Sequence, residues 1–325
     1  MKKRLFLTLA LLAITTVAYP RQTQINDSLV GSYLKGIMSL NKGDIKGAAE
    51  EFEKAKKIDP ESSYLRLKLG FIFLKLGEDE KAEAELKKAK ELDPNNLEAS
   101  TALILLYASK KREKELEAEY RYFLERAHSL RPENIRISEY LGQYYFYKSM
   151  PHEAIKVYTA IVAQKPDYAE GYFWLGYFYE ETGQRDKAIK MWKKTLELNP
   201  NHSDALNSLG YIYAEKGIKL DEAEKMVNKA LEFDPQNGAY LDSLGWVYYK
   251  KGDYKKAENC LLKAVQYLKE AVVYEHLGDV YVKLKDLGKA LFYYKKAQEV
   301  APDNNVLEEK IKKYEGQSKK SKEEG

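Results

Sequence analysis

Seven prolines punctuate this chain at a nearly fixed step. They stand at Pro60, Pro94, Pro132, Pro166, Pro200, Pro235 and Pro302, 34 to 38 residues apart except for a final gap of 67, which is two steps with the shared proline missing. A second ruler keeps the same step: Gly36, Gly70, Gly142, Gly176, Gly210, Gly245 and Gly278. A fixed period between 20 and 50 residues marks an array of stacked units, each touching only its neighbours. A length of 325 residues would otherwise suggest two or three separate domains. The period points instead to one repetitive architecture.

Inside each unit one template recurs. Leu175-Gly176, Leu209-Gly210, Leu244-Gly245 and Leu277-Gly278 are each followed by a tyrosine (Tyr179, Tyr213, Tyr248, Tyr281). A turn comes next, then an alanine (Ala188, Ala223, Ala257, Ala290), and four residues on a bulky side chain (Trp192, Val227, Leu261, Tyr294). Apolar positions at three- and four-residue spacing predict two amphipathic helices per unit. The glycine and alanine allow close helix approach, the tyrosine and bulky residue fill the space beside it, and the proline stops the second helix. A glycine in the turn ends the first helix. In "LDEAE", Asp221 and Glu224 are spaced for a capping box.

Leu-Gly-x-x-Tyr followed by alanine, a bulky residue, a small residue and proline over 34 residues resembles the tetratricopeptide repeat (TPR) family. The resemblance covers eight units over most of the chain, at 29–62, 63–96, 97–134, 135–168, 169–202, 203–237, 238–270 and 271–302. It implies an all-α solenoid, a right-handed superhelix of about eight helix-turn-helix repeats whose concave groove is lined mainly by the first helix of each unit. The third unit departs from the pattern. Ile104 replaces glycine, Tyr120 replaces alanine, and "SKKREKELE" adds four residues. A lengthened hairpin is expected there, and with it a bend between units 1–3 and 4–8. Residues 303–316 read as a solvating capping helix, and 317–325 as a disordered tail. Units 6–8 also resemble bacterial exported or envelope TPR adaptor proteins.

The N-terminus lies outside the repeats. "MKKRLFLTLALLAITTVA" has a basic start, an apolar run and small residues at Thr16 and Ala18, the pattern of a secretory signal peptide spanning 1–18. Residues 19–28 form a linker. The expected location is therefore exported: periplasm, cell envelope or extracellular. An uncleaved N-terminal anchor in the inner membrane is the alternative, although the run is shorter than the roughly 20 residues of a membrane-spanning helix. Cys260 is the one cysteine, so no internal disulfide can form and stability must come from packing. Charge is nearly balanced, 54 Lys and Arg against 50 Asp and Glu, which gives no reason to expect nucleic acid as partner.

Nothing in the sequence marks catalysis. The four histidines, at 128, 152, 202 and 276, fall in different units and none has the spacing of a zinc site. His152 and His202 read as cap or loop residues. No phosphate-binding loop, dinucleotide turn or nucleophile elbow is present, and the carboxylates lie among Lys and Arg at helical spacing, as on a solvated surface. A non-enzymatic protein with no metal and no cofactor is the expectation.

Function must then reside on a surface. At about 100° per residue, repeat positions 4, 7, 8 and 11 face the second helix, whereas positions 2, 5, 9 and 12 lie on the face that resembles the family's ligand groove. Units 4 and 5 place Glu139, Phe146, Phe173 and Tyr177 there; unit 6 adds Asp204, Asn207 and Tyr211; unit 7 adds Asp242, Trp246 and Tyr249. Aromatic rings beside acids suit a protein or peptide segment of basic or aromatic character. The competing reading is that these aromatics pack on the neighbouring first helix. The lysine and asparagine clamp that some family members use on terminal carboxylates is not matched, since Asn207 stands alone. The expected role is a protein-binding scaffold or adaptor in the cell envelope. The alternative is carbohydrate binding by the same aromatic and acidic groove, with Tyr211 and Trp246 stacking on sugars.

Overall fold

The computed structural model describes residues 28–323. The expected signal segment 1–18 and the linker up to residue 27 lie outside the described residues, and so do the last two residues of the tail. Among the described residues the chain is entirely helical, with hairpins α1 (Leu29–Asn41) and α2 (Ile45–Ile58), α3 (Ser63–Leu76) and α4 (Asp79–Leu92), α5 (Glu98–Ser109) and α6 (Glu113–Leu130). There follow α7 (Ile135–Tyr147) and α8 (Pro151–Gln164), α9 (Ala169–Glu181) and α10 (Arg185–Leu198), α11 (Ser203–Glu215) and α12 (Leu220–Phe233). The array ends with α13 (Gly238–Lys251) and α14 (Tyr254–Tyr267), α15 (Ala271–Lys283) and α16 (Leu287–Val300), then α17 (Asn305–Glu323). The described residues divide into two compact units, with the boundary between residues 137 and 138.

The glycine ruler has a direct steric cause. A Cβ on Gly36, Gly70, Gly142, Gly176, Gly245 or Gly278 would lie 2.4–2.8 Å from the side chain of Phe52, Leu86, Tyr158, Trp192, Leu261 or Tyr294 respectively. Each glycine thus makes room for the bulky residue itself, 16 positions downstream, and does more than let backbones approach. The template alanines Ala188, Ala223, Ala257 and Ala290 are fully buried, against the same contact. The proline ruler acts one residue earlier. A residue preceding proline is pushed out of the helical region, and the C-caps Asp59, Asp93 and Asp234 accordingly leave it, at φ −126° to −142° and ψ 81° to 86°. Leu268 adopts the same geometry (φ −133°, ψ 110°) without a proline, its Cβ seated where a side chain on Gly238 would have to go.

The turns between paired helices need one left-handed residue. Gly43, Gly77, Gly183, Gly217 and Gly252 supply it at φ 64° to 84°, while Lys111, Ser149 and Lys285 hold the equivalent place at φ 52° to 62°.

In the first compact unit, Leu65, Leu69 and Ile72 pack over Phe52, and Leu86, Ala99 and Leu103 form the next layer. The third repeat differs from expectation. Its hairpin is no longer than the others; the extra residues extend α6 to 18 residues against 14 in α2 and α4. α6 opens at Glu113, one period after Asp79 opens α4, so the extra turn lies at its C-terminal end. Glu119 is buried and accepts from the Ser100 hydroxyl and from Lys90 Nζ at 2.7 Å, as Glu85 accepts from Lys56 one period earlier. Tyr120, in place of alanine, is 41% exposed.

In the second unit two large clusters run through α9–α17, one around Trp192, Leu209 and Val247 and one around Leu261, Leu277 and Tyr294. Leu307 and Ile311 of α17 close the second. That helix runs on to Glu323, past residue 316, where the reading of the sequence stopped it. The capping box at Asp221 does not form. Lys219 is the N-cap in a left-handed conformation with no side-chain cap, and Asp221 and Glu224 instead pair with Lys251 at 2.6 and 2.5 Å.

Candidate interaction groove

The first helices of successive repeats in the second unit lie side by side, with α11 against α13 and α13 against α15. Between them opens a cavity of about 260 Å³. Tyr177, Glu180 and Glu181 of α9 form one wall, and Asn207, Ser208 and Tyr211 of α11 the floor. Ala239, Asp242 and Ser243 of α13 face them, with Glu270 and Val272 at the far rim. A neighbouring hollow of about 440 Å³ joins Phe146 to Tyr177 and Glu181.

Of the ten expected groove residues, four therefore meet in one cavity: Tyr177, Asn207, Tyr211 and Asp242. The remaining six go elsewhere. Phe146 lines the second hollow and meets Tyr177 edge-on at 5.5 Å. Glu139 accepts from the Tyr168 hydroxyl, and Asp204 from the Tyr240 hydroxyl. Phe173, 7% exposed, meets His202 at a tilt, ring centroids 4.7 Å apart. Trp246 is the main correction. It is only 7% exposed, with Tyr249 on one face at 4.6 Å and His276 on the other at 4.0 Å, and its indole N–H donates to Glu215. Stacking by Tyr249 and by the next repeat's helix takes the Trp246 ring out of the groove, while Tyr249 stays half-buried. Asp242 is likewise only 6% exposed, edging the cavity while its Oδ1 lies 2.9 Å from Nδ1 of His276.

The Asp242–His276 pair was not foreseen, nor was the 3.2 Å contact between Glu170 and His202. The available signal was separation: 34 and 32 residues, about one period, which places such residues on adjacent repeats. His202 also caps α11, its Nδ1 accepting from the Ala205 amide at 3.3 Å.

The groove carries negative potential. Burial raises the Tyr211 hydroxyl well above its ordinary pKa, and the nearby Glu215 and Asp242 carboxylates push it further. Tyr177 is raised by burial and then by Glu181. The hydrogen bond from His202 holds Glu170 below the usual carboxylate range, outweighing its partial burial. Of the six buried side-chain oxygens with no hydrogen-bond partner among the described residues, two belong to cavity-lining side chains, Oδ1 of Asn207 and Oε2 of Glu180. Cys260 is a half-buried thiol whose pKa burial raises. Among the described residues no three His, Cys, Asp or Glu side chains gather as metal ligands.

Models of the tetratricopeptide repeat match residues 40–106, 169–202, 191–225, 238–271 and 271–304, together more than half of the chain. The chain belongs to the tetratricopeptide repeat family, whose repeats generally act as non-enzymatic scaffolds for protein–protein interaction. No curated protein matches its sequence. Among solved structures, one chain of the APC/C hetero-tetramer Cut9–Hcn1 is 17% identical at a TM-score of 0.56, the match taking in 90% of this chain and 57% of that one. A thermophilic TPR protein of Thermus thermophilus is 20% identical over 55% of this chain and 98% of its own, with a TM-score of 0.47. A tetratricopeptide repeat protein of Parabacteroides merdae is 18% identical over 89% of this chain and 99% of its own, with a TM-score of 0.46. No helix among the described residues is long and apolar enough to cross a membrane.

Proposed function

We propose that this protein is a scaffold that docks a segment of another protein against the first helices of repeats 5 to 8. The observation that carries this reading is the cavity between α9, α11, α13 and α15, whose rim residues Ala239, Glu270 and Val272 are exposed. A cavity lined by aromatic rings with a few placed polar groups is the usual form of a recognition site. Carbohydrate stacking is the weaker reading, because both faces of Trp246 are already occupied. The signal-like residues 1–18 support action in the cell envelope, and N-terminal sequencing of envelope-fraction protein should then begin at Tyr19.

The groove is tested by placing a photo-crosslinking phenylalanine analogue at Ala239, on the rim, and separately at Lys263, exposed on the second helix of that repeat. Crosslinks to a distinct protein from position 239, abolished by a second substitution Ser208→Trp that fills the floor, are expected. Identical products from 239 and 263 would overturn the groove assignment.

A further inference from the structure

We infer that the cavity between α9, α11 and α13 is a subsite for one basic side chain, arginine above lysine, carried by the docked segment; this rests on the groove reading above and specifies its ligand. The first argument is the hydrogen-bond inventory. Glu180 Oε2 and Asn207 Oδ1 can only accept, both are buried, and neither finds a donor among the described residues. A ligand bringing N–H donors to these atoms meets acceptors that no protein group uses. The cavity lining offers hydroxyl and amide donors but no Lys, Arg or His side chain, so a charged donor must come from the ligand.

The second argument is charge. Four carboxylates line this small space: Glu180, Glu181, Asp242 and Glu270. Three have partners, Glu181 through the Tyr177 hydroxyl. Arg185 Nε holds Glu180 Oε1 at 2.8 Å and leaves Oε2 unused, and His276 meets Asp242 Oδ1 at 2.9 Å. Arg185 is the one formal cation in these pairs, so a negative excess remains and repels an acidic or carboxylate-terminated ligand. The third is shape. Tyr177 and Tyr211 stand on α9 and α11 along the same wall and floor, and a tyrosine face attracts a cation within about 6 Å. A planar guanidinium can stack on a ring while directing its fork of donors at two separate acceptors; an ammonium is a compact point donor without that reach.

The test uses the full chain and a library of nine-residue peptides, randomised on both flanks, with the central residue fixed as arginine, lysine, citrulline or glutamate. Citrulline keeps the shape of arginine and removes its charge. Charge-assisted hydrogen bonds are about twice as strong as neutral ones, so the tightest arginine peptides should lose about tenfold in affinity on replacement by citrulline. The double variant Glu180→Gln/Asn207→Leu should abolish that discrimination. Ala239→Lys, which removes no core contact and adds a positive charge at the rim, should weaken arginine peptides and spare citrulline ones even if the double variant is unstable. Wild-type binders with no preference for a basic centre would sink the subsite and leave the groove standing. Binding unaffected by Ser208→Trp would sink both.

Discussion

At the scale of single residues, the repeat glycines are steric necessities set by a partner 16 positions away. Gly245→Ala places a methyl group 2.6 Å from Leu261 Cγ, and overpacking of this kind costs about 1–3 kcal/mol. Urea denaturation should show that loss, and adding Leu261→Ala should relieve part of it, so that the double variant is less destabilised than the sum by about 0.5–3 kcal/mol. The left-handed turn residues give the opposite sign. Lys285 at φ 62° and Ser149 at φ 52° carry side chains where glycine is favoured. An L-residue pays about 1–2 kcal/mol in that region, offset by about 0.5–1 for glycine's greater freedom when unfolded. Lys285→Gly and Ser149→Gly should therefore each raise stability by up to about 1 kcal/mol, and a lowered melting temperature for both would contradict this. The glycine pattern was readable from sequence because each glycine and its partner recur in register. Trp246 was not. Position 9 of the first helix points between the open face and the following repeat, and only the presence of His276 on that neighbour decides which it meets. A helical wheel drawn for one repeat contains no such information. Trp246→Ala should behave as a core deletion, costing about 3–5 kcal/mol in thermal unfolding, and should not act as a clean binding variant.

At the scale of helices, the second and third repeats are tied by a polar junction as well as by packing. Arg112, in the turn before α6, reaches Glu83 of α4, which also accepts from the Tyr107 hydroxyl at 3.0 Å and pairs with Lys87 at 2.7 Å. The hydrogen bond from Arg112 is the main reason the Glu83 carboxyl falls to about 2 from an ordinary 4.5, while burial, followed by the bond to Glu83, lifts the Tyr107 hydroxyl to about 12. A carboxyl depressed in the folded state contributes stability above its unfolded pKa and loses it as pH falls to the folded value. The junction should thus hold at pH 5 and above and fail progressively between 4.5 and 2. Glu83→Gln should flatten the pH dependence of the urea midpoint across that window, and an unchanged slope would show that Glu83 does not carry it. The lengthened α6 belongs to this scale too. Insertion of four residues was visible in the sequence, but a hairpin and a longer helix differ only in whether the added segment finds caps and partners. The added turn continues the C-terminal part of α6, where Leu124 and Ala127 are buried, burial that spacing within one repeat does not reveal.

At the scale of the whole molecule, a repeat array is stabilised by neighbours, and its ends are the exception. At the C-terminal end α17 covers the second cluster with Leu307, Ile311 and Tyr314, and Lys310 pairs with Glu275 and Asp279 at 2.8 and 2.7 Å. Ending the chain after Asp303 should expose the apolar side of α15 and α16, lower the melting temperature and promote association, as light scattering would detect. A truncated chain as stable and monodisperse as the full one would show that α17 does not cap. The contacts that join the repeats share one property, their reach along the chain. The pairs Asp242–His276, Tyr168–Glu139 and Lys310–Glu275 are separated by 34, 29 and 35 residues. The entropy lost in closing a loop grows only with the logarithm of its length, and here the loops stay near one period however long the array becomes. Each repeat can therefore close onto its predecessor as soon as it is made, without waiting for the chain to be complete.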